Sequence, residues 1–170
     1  ALELNSLSKT FNMAGWRVGA VIGAKPYIDT ILTFKSNMDS GMFRPVQEAA
    51  AVALGLGADW SENLNKQYQK RKNAACDIMD FLGLKHDKKG AGLFVWGKID
   101  NPIFDAESLS NKILYDARVF ITPGHIFGSQ GDRYLRISLC SPEKEMRSAH
   151  ERIKTAFSLH SLYLNQTQHQ

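Results

Sequence analysis

The order of short apolar runs and longer amphipathic segments constrains the fold more than any other feature of this sequence. After residue 90 that order is strand, helix, strand, strand, helix. Short apolar runs are typical of strands in a covered sheet, whereas apolar residues at helical spacing indicate helices that pack on one face. The order therefore predicts an α/β fold in which helices cover an open sheet.

The same two patterns assign secondary structure to most of the chain. Predicted strands cover residues 16–23, 93–99, 119–124 and 133–140. Predicted helices cover residues 25–37, 45–56, 60–82, 105–118 and 141–160. We expect the strand at 16–23 to be buried and the Ala-rich helix at 45–56 to be mostly buried. The Gly-rich stretch 124–132 is predicted to be a loop, and the polar tail LNQTQHQ is predicted to be frayed.

The first residues, ALELN, alternate like the end of a strand, and no Met precedes them. A natural domain seldom begins inside an element whose sheet partners are missing, so we expect this chain to be a piece of a longer protein. Residues 1–57 would then lack sheet partners and should expose apolar surface.

Composition and charge argue against several classes of protein. The chain of 170 residues is 44% hydrophobic and 22% charged, which is ordinary for a soluble globular protein. Its net charge is +4, and the basic runs KQYQKRK and KHDKK are expected to be solvated faces, since no nucleic-acid recognition motif accompanies them. No apolar run approaches the roughly 20 residues that a membrane-spanning helix needs.

The cysteines, histidines and tryptophans are expected to have structural roles and not to bind a metal. Cys76 and Cys140 lie far apart in apolar or helical settings, and we expect free, buried thiols in a reducing compartment, hence a cytoplasmic protein. The histidines show no zinc-site spacing with Cys or acidic residues. They are His86, His125, His150, His160 and His169. The tryptophans are expected in the core or an interface, and they are Trp16, Trp60 and Trp96.

One stretch, LNSLSKTFNMAGWRVGAVIGA at residues 4–24, combines residues of distinct chemistry. A lysine amine forms an imine with a carbonyl once it loses its proton, and a nearby cation such as Arg17 favours that loss from Lys9. The guanidinium of Arg17 and the hydroxyls of Ser6 and Ser8 suit a phosphate. Together they suit a phosphorylated aldehyde such as pyridoxal phosphate. The spacing of these residues alone does not distinguish a cofactor site from a solvated polar turn.

The stretch SLSKTFNMAGWRVG resembles the cofactor-lysine signature of the class I and II aminotransferases, which are fold-type I pyridoxal phosphate enzymes. That signature is Ser-x-Ser-Lys, a short loop with Gly, and Arg followed by Val-Gly, and every element is present. Two further segments match in order. KSNMDSGMFRPVQEAAAVAL is similar to the family segment that crosses the dimer interface, and YLRISL is similar to the C-terminal strand whose arginine binds the substrate α-carboxylate.

The resemblance, which covers nearly all of residues 5–157, implies transamination between an amino acid and a 2-oxo acid. Lys9 would hold pyridoxal phosphate as an internal aldimine and then move the α-proton, first as base and then as acid. Ser6, Ser8 and Arg17 would bind the cofactor with it, and Arg136 would bind the substrate carboxylate. A homodimer is also implied.

The resemblance further implies a domain organisation. Residues 1–60 would be the C-terminal remnant of a large parallel-sheet domain that binds the cofactor. Residues 61–170 would be a small C-terminal domain, an open α/β sandwich, with the helix at about 60–82 bridging the two. The family's other cofactor contacts lie upstream of the lysine and have no counterpart here. We therefore expect the chain alone to have little transaminase activity and to bind pyridoxal phosphate weakly.

Several alternatives stay open at this point. The serine and lysine at positions 6 and 9 also read as the Ser-x-x-Lys of acyl enzymes, although no Lys-Thr-Gly strand is present. In those enzymes the serine opens a helix, and Gly15 with the strand-like run after it argues against a helix here. Another fold-type I enzyme, such as a lyase or acyltransferase, and a non-catalytic domain are further alternatives.

Two cations and the substrate are undecided by the sequence. Lys35 and Arg44 flank the interface-like loop and are either solvated or within reach of a neighbouring subunit's site. The loop KSNMDSGMF is similar to that of LL-diaminopimelate and broad-range aminotransferases, but the sequence does not identify the amino acid that is used.

Overall fold

The secondary structure follows the predicted order, with one added short strand at Lys85–His86 and one added helical turn at Leu7–Thr10. The computed structural model describes the backbone of residues 1–166 and the side chains of residues 1–158. The strands are β1 (Leu2–Ser6), β2 (Gly19–Gly23), β3 (Lys85–His86), β4 (Phe94–Lys98), β5 (Thr122–Pro123) and β6 (Tyr134–Ser138). The helices are α1 (Leu7–Thr10), α2 (Lys25–Lys35), α3 (Arg44–Leu54), α4 (Ala58–Phe81), α5 (Ala106–Ala117) and α6 (Glu143–Gln166).

The chain divides into two compact units, Ala1–Leu64 and Asn65–Gln170. Helix α4 crosses the boundary between them, because it runs from Ala58 to Phe81. Strands and helices alternate along both units, so the α/β class predicted from the sequence is confirmed. Residues 167–170 of the tail predicted to be frayed lie outside the described residues, as do the side chains of His160 and His169.

In the first unit, β1 and β2 form a two-stranded antiparallel ladder in which Leu2 lies opposite Gly23 and Ser6 lies opposite Gly19. The predicted strand at 16–23 therefore begins three residues late, and the expectation that it is buried was wrong. Val21 is 42% exposed and Ile22 is 55% exposed. An apolar run is buried only where something packs on both of its faces, and a two-stranded ladder does not provide that cover.

The core of the first unit is small and lies where the residues after β1 meet α3. Its buried members are Leu7, Met13, Val18, Ala50 and Ala53, with Phe11, Val46 and Ala49 packed partly against them. The four members from α3 recur at spacings of three and four, so they form one helix face. The expectation that this helix is mostly buried was wrong for the opposite face, where Val52 is 71% exposed.

Residues 1–57 expose large apolar side chains, as the sequence predicts. The most exposed are Leu4, Phe34, Met38, Phe43 and Val52, at 69–80%. The small core of five buried residues explains this exposure, because three helices and one strand pair provide too little surface to cover the other apolar side chains.

The second unit is built on a four-stranded antiparallel sheet in the order β3-β4-β6-β5. One face is buried, and Val95, Leu135 and Ile137 belong there to a core that also contains residues of α4, α5 and α6. The other face carries Trp96 and Arg136, which lie directly opposite each other in the ladder. Alternation along β4 and β6 thus separates a packing face from a face that solvent can reach.

The strand predicted at 119–124 is reduced to the two residues of β5. Val119 and Ile121 are still buried, so the apolar pattern was interpreted correctly as core. The carbonyl of Ile121 accepts a hydrogen bond of 2.6 Å from the Ser110 hydroxyl of α5. That side chain satisfies a backbone group that a longer strand would have paired with its neighbour.

Two expectations about burial were also wrong, one for the first basic run and one for Cys140. Arg71 and Lys72, in the first basic run, are part-buried and donate to the carbonyls of Leu139 and Gly90 instead of being simply solvated. Cys140 is exposed, whereas Cys76 is buried. Burial raises the pKa of the Cys76 thiol, because the apolar surroundings disfavour the thiolate.

The described residues contain no cluster of three or more His, Cys, Asp or Glu that could hold a metal ion. No helix among them combines the length and the apolar character needed to cross a membrane.

We predict that Gly97→Ala destabilises the second unit by about 1–3 kcal/mol through overpacking. A methyl group there would lie 2.5 Å from the sulfur of Met79 and 3.0 Å from Cβ of Leu84. Amide hydrogen exchange of β4 and β6 measures the effect. In the control Gly57→Ala the added methyl group meets nothing within 4 Å. Equal protection of these strands in both variants would contradict the prediction.

We predict that Leu7→Ala destabilises the first unit by about 2–5 kcal/mol, because the side chain is buried and the core around it is too small to close the cavity. Leu7 is 2% exposed. Limited proteolysis should show faster cleavage within residues 7–18. Leu4→Ala is the control, since Leu4 is 80% exposed and its truncation should leave the cleavage rate unchanged.

Candidate functional site

The lysine at position 9 lies on a single helical turn that directly follows β1. Ser6 is the N-cap of this turn, with extended backbone, and its hydroxyl accepts a hydrogen bond of 3.3 Å from the Ser8 amide. The sequence argument that no helix opens here was therefore wrong. Serine at an N-cap satisfies one of the free amides of a helix start, and that preference outweighed the strand-like run farther on.

Leu7 holds this turn against the core. Its amide donates to the carbonyl of Val18, at 3.3 Å, and its carbonyl accepts from the amides of Phe11 and Met13. With its side chain 2% exposed, Leu7 is a fixed point two residues before Lys9. The sequence analysis did not predict that Leu7 anchors the turn. The signal was its position as a single apolar residue between Ser6 and Ser8.

The Lys9 side chain is exposed and makes no hydrogen bond or ion pair with any side chain or backbone group in residues 1–158. Other lysines of the unit are engaged: Lys25 pairs with Asp29 at 2.6 Å, and Lys35 pairs with Asp39 at 2.8 Å. The amine of Lys9 is thus held on an anchored turn and is open to a ligand.

Arg17 approaches the same end of the ladder from the β2 side. Arg17 directly precedes Val18, and the Val18 carbonyl accepts a hydrogen bond from the Leu7 amide. Because Ser6 also lies opposite Gly19 in the ladder, the backbone of Ser6, Ser8 and Arg17 comes together at this end of β1 and β2. The guanidinium donates one hydrogen bond, of 3.0 Å from Nη1 to the Ala14 carbonyl. Its remaining N–H groups have no acceptor within the described part of the chain.

The loop between Lys9 and β2 contains strained backbone. Asn12 and Arg17 have φ angles of 55° and 52°, in the left-handed region that non-glycine residues seldom adopt. Such residues cluster at ligand sites, where the surrounding structure maintains the strain. Two of the three non-glycine residues with positive φ in the described part of the chain therefore lie in the loop that joins the Lys9 turn to β2.

Trp60 adds a contact that the sequence did not signal. Its indole N–H donates a hydrogen bond of 3.0 Å to the carbonyl of Thr10, the last residue of the Lys9 turn. Sequence reasoning placed Trp60 in the core or an interface, and its half-buried ring is consistent with packing in this unit. Trp16, by contrast, is 51% exposed and is not a core residue.

In the second unit, Arg136 lies on the open face of the sheet among three aromatic rings. Its guanidinium carbon is 3.7 Å from the ring centre of Phe127, 4.1 Å from that of Phe94 and 5.7 Å from that of Trp96. Nε of Arg136 is buried without a hydrogen-bond partner in the described residues. Stacking orients the planar group without occupying its N–H donors, which suits it to bind a carboxylate.

A neighbouring arginine shows the opposite arrangement. The guanidinium of Arg133 donates to three backbone carbonyls, at distances of 2.7–3.0 Å. These acceptors belong to Ile99, Asn101 and Phe104. Arg133 is therefore committed to holding a loop, whereas Arg136 has donors free for a ligand.

The Gly-rich loop after β5 forms two short 3₁₀ turns, Gly124–Phe127 and Ser129–Gly131. Gly128 between them has a φ of +126°, which favours glycine. The loop brings Phe127 to Arg136 and, with Trp96 and Tyr134, encloses an open cavity of about 530 Å³. The loop predicted at residues 124–132 is confirmed, and it contains two 3₁₀ turns that its glycine-rich composition does not indicate.

The structure thus places Ser6, Ser8, Lys9 and Arg17 together in the first unit and Arg136 in the second. Lys35 and Arg44, which the sequence left undecided, both make ion pairs: Lys35 with Asp39, just beyond the end of α2, and Arg44 with Glu48 within α3, each at 2.8 Å. The hydrogen bond from Lys35 lowers the pKa of Asp39.

Comparison with known proteins identifies the family. The chain matches the model of the family described as aminotransferase class I and II over residues 1–153. It is 36% identical, over 91% of its length, to LL-diaminopimelate aminotransferase of Aquifex aeolicus, and it covers 40% of that protein. It is 37% identical, over 89% of its length, to the transaminase BacF of Bacillus subtilis, of which it covers 38%.

A solved structure agrees with these sequence relatives. The apo structure of BacF from Bacillus subtilis superimposes with a TM-score of 0.79 at 36% identity, over 91% of this chain and 41% of that one. The chain spans about 40% of the length of the curated relatives it matches. The match of the family model to nine tenths of the sequence shows that this chain belongs to the class I and II aminotransferases.

Proposed function

We propose that this chain is part of a pyridoxal phosphate-dependent aminotransferase, which exchanges the amino group of an amino acid with a 2-oxo acid. The observation that carries the proposal is the Lys9 amine, exposed and without a partner among the described residues, on a turn anchored by Leu7. Membership of the class I and II family supports the same reaction. An acyl enzyme with Ser6 as nucleophile has no such support.

The donor groups around Lys9 fit the cofactor. Lys9 offers an amine for the aldehyde carbon, while the hydroxyls of Ser6 and Ser8 and the guanidinium of Arg17 offer neutral and charged donors for the phosphate. Arg17 uses one N–H on the Ala14 carbonyl, which orients the side chain and leaves further donors for an anion. We propose these four residues as the cofactor contacts of this chain.

Pyridoxal phosphate, when bound, supplies an electron-withdrawing ring that stabilises negative charge at the α-carbon of the amino acid. Lys9 moves the proton in this scheme: its amine takes the proton from the α-carbon as a general base and later returns one as a general acid. The anchored turn limits where that amine can go, which favours transfer at one carbon.

Arg136 binds the α-carboxylate of the substrate. The rings of Phe94 and Phe127 hold the planar guanidinium in place, so two parallel hydrogen bonds can form to the two carboxylate oxygens. Binding the carboxylate would also give the buried Nε donor and its neighbours an anionic partner. Any amino acid has this carboxylate, so Arg136 does not select among side chains.

The domain organisation and the oligomeric state are part of the proposal. We assign residues 1–60 to the end of a large cofactor-binding domain and residues 61–170 to a small domain. The division of the chain into units at residues 64 and 65 supports a boundary in this region. We also propose a homodimer in the cytoplasm, with amino acids and 2-oxo acids as small-molecule partners. A relative of this chain is an LL-diaminopimelate aminotransferase.

We predict that Lys9 is the residue that pyridoxal phosphate modifies. Reduction with borohydride in the presence of the cofactor should attach the label to Lys9 in peptide mapping, and Lys9→Ala should remove it. Lys25→Ala is the control, since Lys25 is an exposed lysine of the same unit that pairs with Asp29. A label that stays after Lys9→Ala would refute the assignment.

We predict that Arg136→Lys raises KM for amino acids about tenfold or more while cofactor binding stays nearly unchanged, because lysine keeps the charge but loses the planar fork. The assay uses the enzyme at the length of its relatives, of which this chain spans about 40%. Arg147→Lys is the control, as Arg147 is an exposed arginine of the same unit that pairs with Glu143 at 2.7 Å. Unchanged kinetics in Arg136→Lys with every amino acid tested would exclude the role.

A further inference from the structure

We infer that Trp60 is a positioning residue for Lys9: its indole N–H, bonded to the Thr10 carbonyl, holds the end of the turn that carries the reactive amine. The inference rests on the proposed function of Lys9. The hydrogen bond is 3.0 Å long and joins residues 50 positions apart in the sequence. The acceptor is the backbone carbonyl of Thr10 and not a group of Lys9, so Trp60 acts on Lys9 through Thr10.

The Thr10 carbonyl is a group that needs an outside donor. Thr10 is the last residue of α1, and the last carbonyls of a helix have no amide partner within it. The amides of Phe11 and Met13, which follow, both donate to the Leu7 carbonyl instead. The Trp60 side chain therefore supplies a donor that the local backbone does not.

With this bond, the turn is held at both ends. Leu7 is buried at the start, and Thr10 is bonded to Trp60 at the end, so Lys9 lies between two fixed points. A helix of four residues has too few internal hydrogen bonds to hold its own shape. Losing either fixed point should therefore let the Lys9 amine move over a larger volume.

Trp60 is itself well held. It lies in the first turn of α4, a helix of 24 residues, and its amide donates to the Gly57 carbonyl at 3.2 Å. The need for a hydrogen-bond donor explains why this position is tryptophan, because phenylalanine has an aromatic ring but no donor. Trp16 provides the natural comparison: it is 51% exposed, and its indole makes no hydrogen bond among the described residues.

The test measures Lys9 and its turn separately from catalysis. Trp60→Phe keeps a ring and removes the N–H, and replacing Trp60 by benzothienylalanine keeps the shape of the indole as well. Trp16→Phe is the matched control. Each protein is treated with pyridoxal phosphate and borohydride, and the labelling of Lys9 is measured relative to Lys25 in the same sample. Hydrogen exchange of the Phe11 and Met13 amides is followed without the cofactor.

Both Trp60 variants should reduce the relative labelling of Lys9 and increase exchange of the two amides, each about three- to tenfold, the size expected for one hydrogen bond. The Trp16 control should match the wild type, and exchange within β1, β2 and α3 should be unchanged in all proteins. A kinetic assay of the variants, made in the enzyme at the length of its relatives, should show a lower kcat with little change in KM, since Arg136 is untouched.

Three results would overturn the inference: unchanged relative labelling of Lys9, unchanged exchange of the Phe11 and Met13 amides, or an equal rise in exchange across β1, β2 and α3. The last would mean that Trp60 merely stabilises the unit. Failure of the proposed function looks different, because the wild-type label would then be found on a lysine other than Lys9. The exchange data would in that case still decide whether Trp60 holds the turn.

Discussion

The burial of Leu7 is the interaction on which the proposed lysine site depends. This side chain packs with Met13, Val18 and two alanines of α3 in a core of five buried residues, and its backbone bonds to Val18, Phe11 and Met13. The serines on either side and the lysine that follows take their positions from it. A small core makes each of its members matter more, because few other contacts replace a lost one. The same small core leaves most apolar residues of the first unit exposed.

The two cations proposed to bind ligands, Lys9 and Arg136, differ in how the structure holds them. Lys9 has no partner among the described residues; the backbone beside it carries the buried Leu7 on one side and the Thr10 carbonyl, bonded to Trp60, on the other. Arg136 is restrained through its side chain, by aromatic rings that leave its N–H groups without acceptors in the described part of the chain. Arg133 shows that an arginine near the same strand takes a structural role once backbone carbonyls occupy its donors.

Errors in the sequence predictions have a common cause: the pattern of residues within a segment does not report which distant groups are available to cover it or to accept its hydrogen bonds. The strand at 16–23 and the outer face of α3 have apolar residues without neighbours, so they are exposed. Val119 and Ile121 have neighbours but no pairing strand, so they are buried outside a strand. Arg71 and Lys72 were expected in solvent because a basic run has no visible partner in sequence, yet backbone carbonyls 68 and 18 residues away accept their hydrogen bonds.

The sequence by itself determined the order of strands and helices, the α/β class and the family resemblance, because these depend on local periodicity and on motifs of adjacent residues. It also singled out Lys9 and Arg136 by residue type and motif, with roles that stay proposals. Only the tertiary structure shows that Leu7 is buried, that Trp60 donates a hydrogen bond to the turn carrying Lys9, and that aromatic rings from β4 and the Gly-rich loop surround Arg136. These contacts join residues distant in the chain, and the spacing of residues within a segment contains no information about which distant segment packs against it.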